Sequence, residues 1–239
     1  MKTDFHSHFL PGIDDGAKTP EQSVGILRYL KSRGIETVCA TPHFAKHDAD
    51  VERFIVRRRD ALSRLYSYMD GNGVERSELP EIVLGAEVRL HREFSEREDL
   101  AALCYEGTRY ILIELPFRKF EGWELEEVYN IMYQLKVKPV MAHINRYLDY
   151  YSKSEFSDMF YNGDFTIQLN TECVTTLQGL SFMKKTLKRD LPIIFGSDIH
   201  DPSKVHDSGL GRTQKLIEKL DAKRSSELES VERSVRGVF

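Results

Sequence analysis

Seven short apolar runs alternate along the chain with longer segments in which apolar positions recur at helical spacing. The runs cover residues 2–5, 36–40, 81–90, 109–114, 138–142, 165–169 and 191–195. Most are continuous, which is typical of parallel strands that are covered on both faces. All but the third are followed by a stretch that predicts a helix. The pattern therefore predicts one α/β domain over residues 1–239, built as a barrel-like set of seven strand–helix units.

The helix signals fit this order. Thr19 is a suitable N-cap, Pro20 suits the first helical position, and Gly34 ends the first helix. Further helices are predicted over residues 51–69, 122–135, 180–188, 208–219 and 225–235. The helix predicted over residues 51–69 carries a run of arginines, Arg57, Arg58 and Arg59. We interpret these arginines as a solvated face, and the alternative is a docking surface for an anionic partner.

Composition narrows the class of protein. Of the 239 residues, 41% are hydrophobic and 30% are charged, which suits a soluble domain with a sizeable core. The net charge of -4 gives no drive towards nucleic acid. No apolar run approaches the length of a membrane span, and the chain begins directly with strand and site residues, so we expect a cytoplasmic protein without a signal peptide. Three scattered cysteines predict neither disulfides nor a cysteine-rich zinc site.

Residues that could bind a metal ion or act as a base are most concentrated in the first fifteen positions, which read MKTDFHSHFLPGIDD. His6 and His8 alternate with Ser7 at the end of a predicted strand, so both imidazoles point to the same side. Asp14 and Asp15 follow a turn and offer hard oxygen ligands or a base. Because histidine and carboxylate are the preferred ligands of divalent first-row metals, we interpret this stretch as part of a metal site.

Similar residues stand at the ends of other predicted strands. With the first pair they make a set of eight: His6, His8, His43, Glu87, Glu114, His143, Asp198 and His200. In a parallel barrel the carboxyl ends of the strands form one mouth, so these side chains are expected to converge. Eight ligands exceed the four of a structural zinc site and predict two or three divalent ions. Such ions activate water for displacement at phosphorus, and the ligand set accepts Mn, Fe, Zn or Mg.

Two arginines are candidates for binding phosphate oxygens. Arg146 lies three residues after His143, and Arg212 follows Gly211 at the start of a predicted helix. The alternative, that both are ordinary surface arginines, stays open at this point. A cysteine-dependent phosphatase is excluded, because Cys104 and Arg109 are one residue short of the spacing that its phosphate loop needs.

The motifs resemble those of a known family. They are HSHFLPGIDDGAKT at residues 6–19, ATPH at 40–43, GAEVRL at 85–90, IELPF at 113–117, AHINRY at 142–147 and GSDIH at 196–200. In this order they are similar to the PHP (polymerase and histidinol phosphatase) superfamily. Within it they most resemble the CpsB/CapC/YwqE-type metal-dependent tyrosine phosphatases of bacterial capsular and exopolysaccharide operons. The similarity runs from residue 1 to about residue 212.

The resemblance implies a distorted (β/α)7 barrel with a manganese-type site of two to three metals, held by the eight residues named above. It implies that Asp14 is a further ligand or an acid/base group and that Arg146 binds phosphate. Ile144 and Asn145 depart from the usual loop, and the segment from residue 200 to Arg212 is longer than usual. The implied substrate is the phosphotyrosine tail of a bacterial tyrosine autokinase, and the oligomeric state is left open.

Three alternatives remain at this stage. The first is a small-molecule phosphomonoesterase of the same superfamily, similar to histidinol phosphatase, although the DDGA motif disfavours it. The second is an amidohydrolase-type barrel, disfavoured because Glu114 stands where a carboxylated lysine is often found. The third is an inactive barrel that serves as a scaffold for the kinase, and the complete set of eight competent ligands argues against it.

Overall fold

The computed structural model describes residues 1–44 and 50–220, and the helix predicted over residues 225–235 lies outside these ranges. The strands are β1 (Thr3–Ser7), β2 (Thr37–Ala40), β3 (His43–Phe44), β4 (Glu81–Leu84), β5 (Glu87–Arg89), β6 (Tyr110–Glu114), β7 (Lys138–Met141), β8 (Thr166–Asn170) and β9 (Ile193–Gly196). The helices are α1 (Pro20–Ser32), α2 (Val51–Gly71), α3 (Trp123–Gln134), α4 (Lys153–Phe160), α5 (Leu177–Thr186) and α6 (Leu210–Leu220). The extent of a single domain over the whole chain stays a prediction.

All paired strands are parallel, in the orders β1-β2-β4 and β3-β5-β6-β7-β8-β9. Only two residues separate β2 from β3, and two separate β4 from β5, so each pair occupies one strand position. The last strand returns to the first, because His8 N–H donates to the carbonyl of Ile199 at 3.0 Å and Asp198 N–H donates to that of His6 at 2.7 Å. Seven strand positions thus follow one another around a distorted ring, and the predicted (β/α)7 fold is confirmed.

The interior below the mouth is apolar. A cluster of buried side chains takes one member from each of several strands: Phe5, Cys39, Val83, Leu112, Val140 and Ile194, with Tyr105 and Ala142 beside them. Two larger clusters pack the outer faces of the strands against the helices. Both faces of the strands are therefore buried, which explains why the strand sequences are continuously apolar.

The third predicted strand, over residues 81–90, is interrupted, so the prediction of one continuous strand was wrong. The break falls at Gly85 and Ala86. A Cβ atom at Gly85 would lie 2.7 Å from the Tyr105 ring, so only glycine allows the chain to pass this buried ring. The Tyr105 hydroxyl donates to the carbonyl of Phe5 at 2.9 Å. The ring therefore joins the break in the third strand position to the first strand.

The helices differ from the prediction at two points. Thr19 caps α1 as expected, and its side chain accepts from the N–H of Gln22. Helix α4 follows the fifth apolar run, and its bounds were not predicted, although Ser152 and Glu155 form a capping box at its start. Arg58 of α2 is buried and donates to the carbonyl of Gly85, so a solvated face was the wrong interpretation for this arginine. Within the described ranges, each helix is too short or too polar to cross a lipid bilayer.

We expect Tyr105→Phe to lower the free energy of unfolding by about 1–3 kcal/mol, because the carbonyl of Phe5 loses its buried donor. Urea denaturation of the metal-loaded protein measures the change. Tyr133→Phe is the matched control: Tyr133 is 67% exposed, and its change should stay within about 0.5 kcal/mol. Equal effects of the two substitutions would contradict the structural importance of the Tyr105 hydroxyl.

Candidate metal centre

The structure brings all eight predicted ligand residues together at the carboxyl ends of the strands. Their donor atoms fall into four overlapping groups, within each of which all atoms lie within 4.8 Å of one another. The groups are His8, Asp15, His43 and His200; His6, His8 and Glu87; His6, His143 and Asp198; and His43, Glu87 and Glu114. Because the groups share members, the arrangement suits neighbouring ions with common ligands rather than one isolated ion.

Glu87 lies at the centre of this arrangement and is almost completely buried. Its Oε1 accepts from the Nε2 of His143 at 2.8 Å. Its Oε2 lies 2.9 Å from the Nδ1 of His43, 3.2 Å from the Nε2 of His6 and 3.3 Å from the Nε2 of His8. One carboxylate thus faces four imidazoles, which is the position of a bridging ligand.

Outer contacts orient the imidazoles. The far ring nitrogen, Nδ1, of His6 lies 3.1 Å from the Oε1 of Gln168, and that of His8 lies 2.8 Å from a carboxylate oxygen of Asp14. The Nδ1 of His200 lies 3.0 Å from the carbonyl oxygen of Asp198. Each acceptor keeps the proton on Nδ1 and leaves the lone pair of Nε2 directed into the cluster. This is the usual arrangement behind histidine ligands of metals.

Several buried polar atoms fit bound cations better than they fit one another. The Oε2 of Glu87 and the Oδ1 of Asp198 have no aligned hydrogen-bond donor among the described residues, although both are inaccessible to water. The Nε2 atoms of His6 and His8 lie only 3.0 Å apart. An unpaired buried carboxylate oxygen costs several kcal/mol in the absence of a counter-charge. The donor set therefore fits divalent metal ions.

The protonation of the cluster reflects the same crowding. Burial opposes a charge on His8, but the neighbouring carboxylates outweigh burial and raise the pKa of His8 well above its usual value. Burial would raise the pKa of Glu87, yet the surrounding imidazoles lower the pKa of this carboxyl well below its usual range. Burial and the charge of Glu87 raise the pKa of Glu114. The pKa values of His6 and His43 are raised as well, so without metal, protons on these three imidazoles supply positive charge to the site.

The backbone is strained at two of the candidate ligands. His143 has φ +30° and Asp198 has φ +52°, a region that residues other than glycine rarely adopt. Each residue lies two positions after the end of a strand, β7 and β9 respectively, and the turn redirects each side chain into the cluster. Strain of this kind is found mainly at functional sites, where the surrounding structure enforces it.

The two acidic residues of the first loop take different positions. Asp14 is engaged with the backbone and an imidazole: its Oδ2 accepts from His8 and from the N–H of His43. Asp15 instead faces the cluster, with its Oδ1 3.3 Å from the Nε2 of His43 and 3.4 Å from that of His200. Asp15 is thus a further candidate ligand, and a catalytic role for Asp14 stays a prediction.

The two predicted phosphate-binding arginines are far from equivalent. Arg146 lies at the edge of the cluster, with its Nη2 2.7 Å from an oxygen of Asp198 and 3.2 Å from one of Glu172. Arg212 is exposed at the third position of α6. It borders a separate cavity whose other lining residues are Tyr29, Arg33, Thr175, Gly209, Leu210, Gly211 and Lys215.

Comparison with known proteins agrees with this geometry. The family described as capsular polysaccharide synthesis, CpsB/CapC, matches residues 2–229. The chain belongs to the CpsB/CapC family. A chain from the crystal structures of YwqE from Bacillus subtilis and CpsB from Streptococcus pneumoniae, described as metal-dependent tyrosine phosphatases, superimposes with a TM-score of 0.77. That alignment covers 98% of this chain and 94% of the other at 25% identity.

Similar sequences within the CpsB/CapC family carry tyrosine phosphatase names. The tyrosine-protein phosphatase YwqE of Bacillus subtilis is 34% identical over 147 residues, which span 60% of this chain and 54% of that protein. The tyrosine-protein phosphatase CpsB of Streptococcus pneumoniae is 27% identical over 215 residues, which span 83% of this chain and 82% of that protein. The predicted family is confirmed.

Sequence reasoning missed two polar residues of β8 that support the cluster. Gln168 accepts from the N–H of His143 at 2.6 Å, contacts His6, and donates to Asn170. Asn170 in turn donates to Asp198 at 2.8 Å. The available signal was the two-residue spacing of Gln168 and Asn170 in an otherwise buried strand, which places both on one face. In this CpsB/CapC chain, β8 thus supplies orienting groups rather than ligands.

We expect Gly16→Ala to lower the metal content, because a Cβ at Gly16 would lie 1.9 Å from the carbonyl oxygen of His8. The clash has to shift His8 and should also destabilise the protein by about 1–3 kcal/mol. Elemental analysis and thermal unfolding measure both effects. Gly25→Ala is the control, since nothing lies within 4 Å of its Cβ position in α1. Full metal content in Gly16→Ala would argue against this constraint.

Proposed function

We propose that this chain is a metal-dependent protein-tyrosine phosphatase. The observation that carries the proposal is the position of Glu87, whose two oxygens face four imidazoles in the middle of overlapping ligand groups. Such a site suits neighbouring divalent ions, which would bind phosphate oxygens and lower the pKa of water. Membership of the CpsB/CapC family, whose relatives are named tyrosine phosphatases, supports the same activity.

The residues of the chain have separable tasks in this reaction. The eight candidate ligands, with Asp15, would hold two to three ions, for which we propose manganese. Gln168 and Asp14 fix the ring orientation of His6 and His8 before substrate arrives. Such preorganisation avoids the cost of rearranging polar groups as charge develops on the phosphate.

Arg146 is the proposed phosphate-binding arginine. Its guanidinium is held by Asp198 and Glu172, yet the side chain remains 36% exposed, so N–H groups are left for a substrate. The fork of an arginine matches two oxygens of a phosphate group. Arg146 would thus stabilise the negative charge on the equatorial oxygens in the transition state. A similar task for Arg212 stays a prediction from the sequence.

We propose the phosphorylated tail of a bacterial tyrosine autokinase as the substrate, and a cytoplasmic location. The support is the capsule-related description of the CpsB/CapC family and the tyrosine phosphatase names of its members. A phenolate leaves more readily than an alkoxide, because its conjugate acid has a pKa near ~10. Phosphotyrosine therefore needs little help from a general acid.

We expect purified protein to contain about two to three divalent ions and to release phosphate from a phosphotyrosine peptide in a chelator-sensitive, Mn²⁺-stimulated manner. Glu87→Gln keeps the shape of the side chain but removes its charge, and it should lower the metal content. Glu126→Gln, which alters an exposed carboxylate of α3, is the control. If the protein binds metal but hydrolyses histidinol phosphate and not the peptide, the alternative of a small-molecule phosphatase is favoured. Absence of metal binding would contradict the proposed centre.

We expect Arg146→Ala to lower kcat by about 10²–10³-fold, the usual effect of removing one charged group that stabilises the transition state. Metal content should remain close to that of the unchanged protein, which separates phosphate binding from ion binding. Arg189→Ala, on an exposed arginine outside the site, is the control. Arg212→Ala in the same assay tests the sequence-based prediction that Arg212 also binds phosphate. A loss of kcat comparable to that of Arg146→Ala would support this role.

A further inference from the structure

An aromatic wall stands beside the cluster on the side of β6 and β7. Phe117 follows β6 and stacks on the imidazole of His143, with ring centroids 5.6 Å apart and an angle of 23° between the planes. It also stacks on Tyr147 at 5.2 Å and 14°. Tyr150, 41% exposed, lies 6.2 Å from Phe117 at a tilt of 49°. Phe117 is only partly buried, so part of its ring remains available to a ligand.

The position of this wall is fixed from below. Tyr147 is completely buried, and its hydroxyl donates to the carbonyl of Leu115 at 3.0 Å while accepting from the N–H of Leu115 at 2.9 Å. Leu115 is two residues before Phe117. The loop that carries Phe117 is therefore fastened to the loop that carries Arg146 and Tyr150. A rigid aromatic surface loses little entropy when a second ring packs on it.

The side of the mouth next to β9 has a different character. A small cavity beside β9 is bordered by polar and charged side chains: Glu172, Ser197, Asp198, His200, Asp201, Lys204 and Ser208, with Ile199. The mouth is thus asymmetric, with aromatic rings on the β6–β7 side and charged groups on the β9 side. The ring of an aryl phosphate is joined to phosphorus by one oxygen, so it would lie close to the lining of the mouth, where the aromatic side offers it apolar contact.

We propose that Phe117 and Tyr150 form the wall on which the phenyl ring of the substrate packs, and that this wall makes the site selective for aryl over alkyl phosphates. The proposal rests on the proposed function and adds the residues that choose the substrate class. Offset-stacked and tilted aromatic pairs gain attraction beyond the burial of apolar area, whereas an alkyl chain gains only burial. The charged side would accommodate polar residues that flank the phosphotyrosine.

Phosphonates separate ring recognition from chemistry, because they bind without being hydrolysed. Phenylphosphonate and methylphosphonate carry the same anionic group and differ in the ring, so the ratio of their dissociation constants reports the wall alone. Calorimetry on metal-loaded protein measures both constants. Phe117→Leu retains an apolar side chain without an aromatic face, Phe117→Trp restores one, and Tyr133→Leu alters an exposed aromatic residue of α3 as the control.

We expect Phe117→Leu to weaken phenylphosphonate about tenfold, from the usual strength of an aromatic pair. Binding of methylphosphonate and the metal content should change less than about twofold, and Phe117→Trp should recover the preference. With a phosphotyrosine peptide as substrate, Phe117→Leu should mainly raise KM, with a smaller effect on kcat. An unchanged ratio of the two dissociation constants would overturn the proposal. If the ratio is unchanged because both phosphonates bind more weakly by the same factor, Phe117 acts only by supporting His143.

Tyr150→Leu provides a second test, because this exposed position tolerates substitution without loss of the fold. It should lower the preference for phenylphosphonate in the same direction, and an unchanged preference would count against the wall. Turnover of the phosphotyrosine peptide by the unchanged protein tests the proposed function separately. Hydrolysis of the peptide without a ring preference would support the proposed phosphatase activity and contradict the proposed role of the aromatic wall.

Discussion

The charge on one buried carboxylate, that of Glu87, governs the upper half of this barrel. A carboxylate removed from water costs several kcal/mol unless positive charge lies next to it. Here that requirement is met from neighbouring strand positions: His43 is the direct partner of Glu87 in the pairing of β3 with β5, and His6 and His143 approach from β1 and from the end of β7. The ring of strands is what brings these groups within contact distance.

The barrel divides its interior into two layers with opposite demands. Below, apolar residues such as Phe5, Val83 and Ile194 fill the space and supply stability. Above, the cluster stores strain, including the left-handed backbone at His143 and Asp198. The lower layer has to stabilise the fold sufficiently to hold these unfavourable conformations. Tyr105 connects the layers, because its ring sits under the strand break that precedes Glu87.

Sequence alone predicts features that depend on local hydrophobic pattern and on the rule that the carboxyl ends of barrel strands form one mouth. Strand ends are visible in apolar runs, and parallel strands direct those ends to one mouth, so the ligands could be assembled without coordinates. Contacts set by packing were not predictable. The buried environment of Arg58, the break at Gly85 and the support from Gln168 each depend on a neighbour distant in sequence. Arg212 shows the same limit, since a helix start says nothing about which side of the barrel it faces.

His143 links the chemistry of the site to its choice of substrate. One ring nitrogen contacts Glu87, while one face of the same ring packs against Phe117. The same imidazole is also held from elsewhere, because the backbone N–H of His143 donates to Gln168 and its Nε2 contacts Glu87. Loss of the Phe117 ring therefore leaves two contacts that orient this candidate ligand, so ring preference can change while metal content stays nearly constant. Tyr150, whose ring lies 6.2 Å from that of Phe117, is the more exposed member of the wall and is not a candidate ligand.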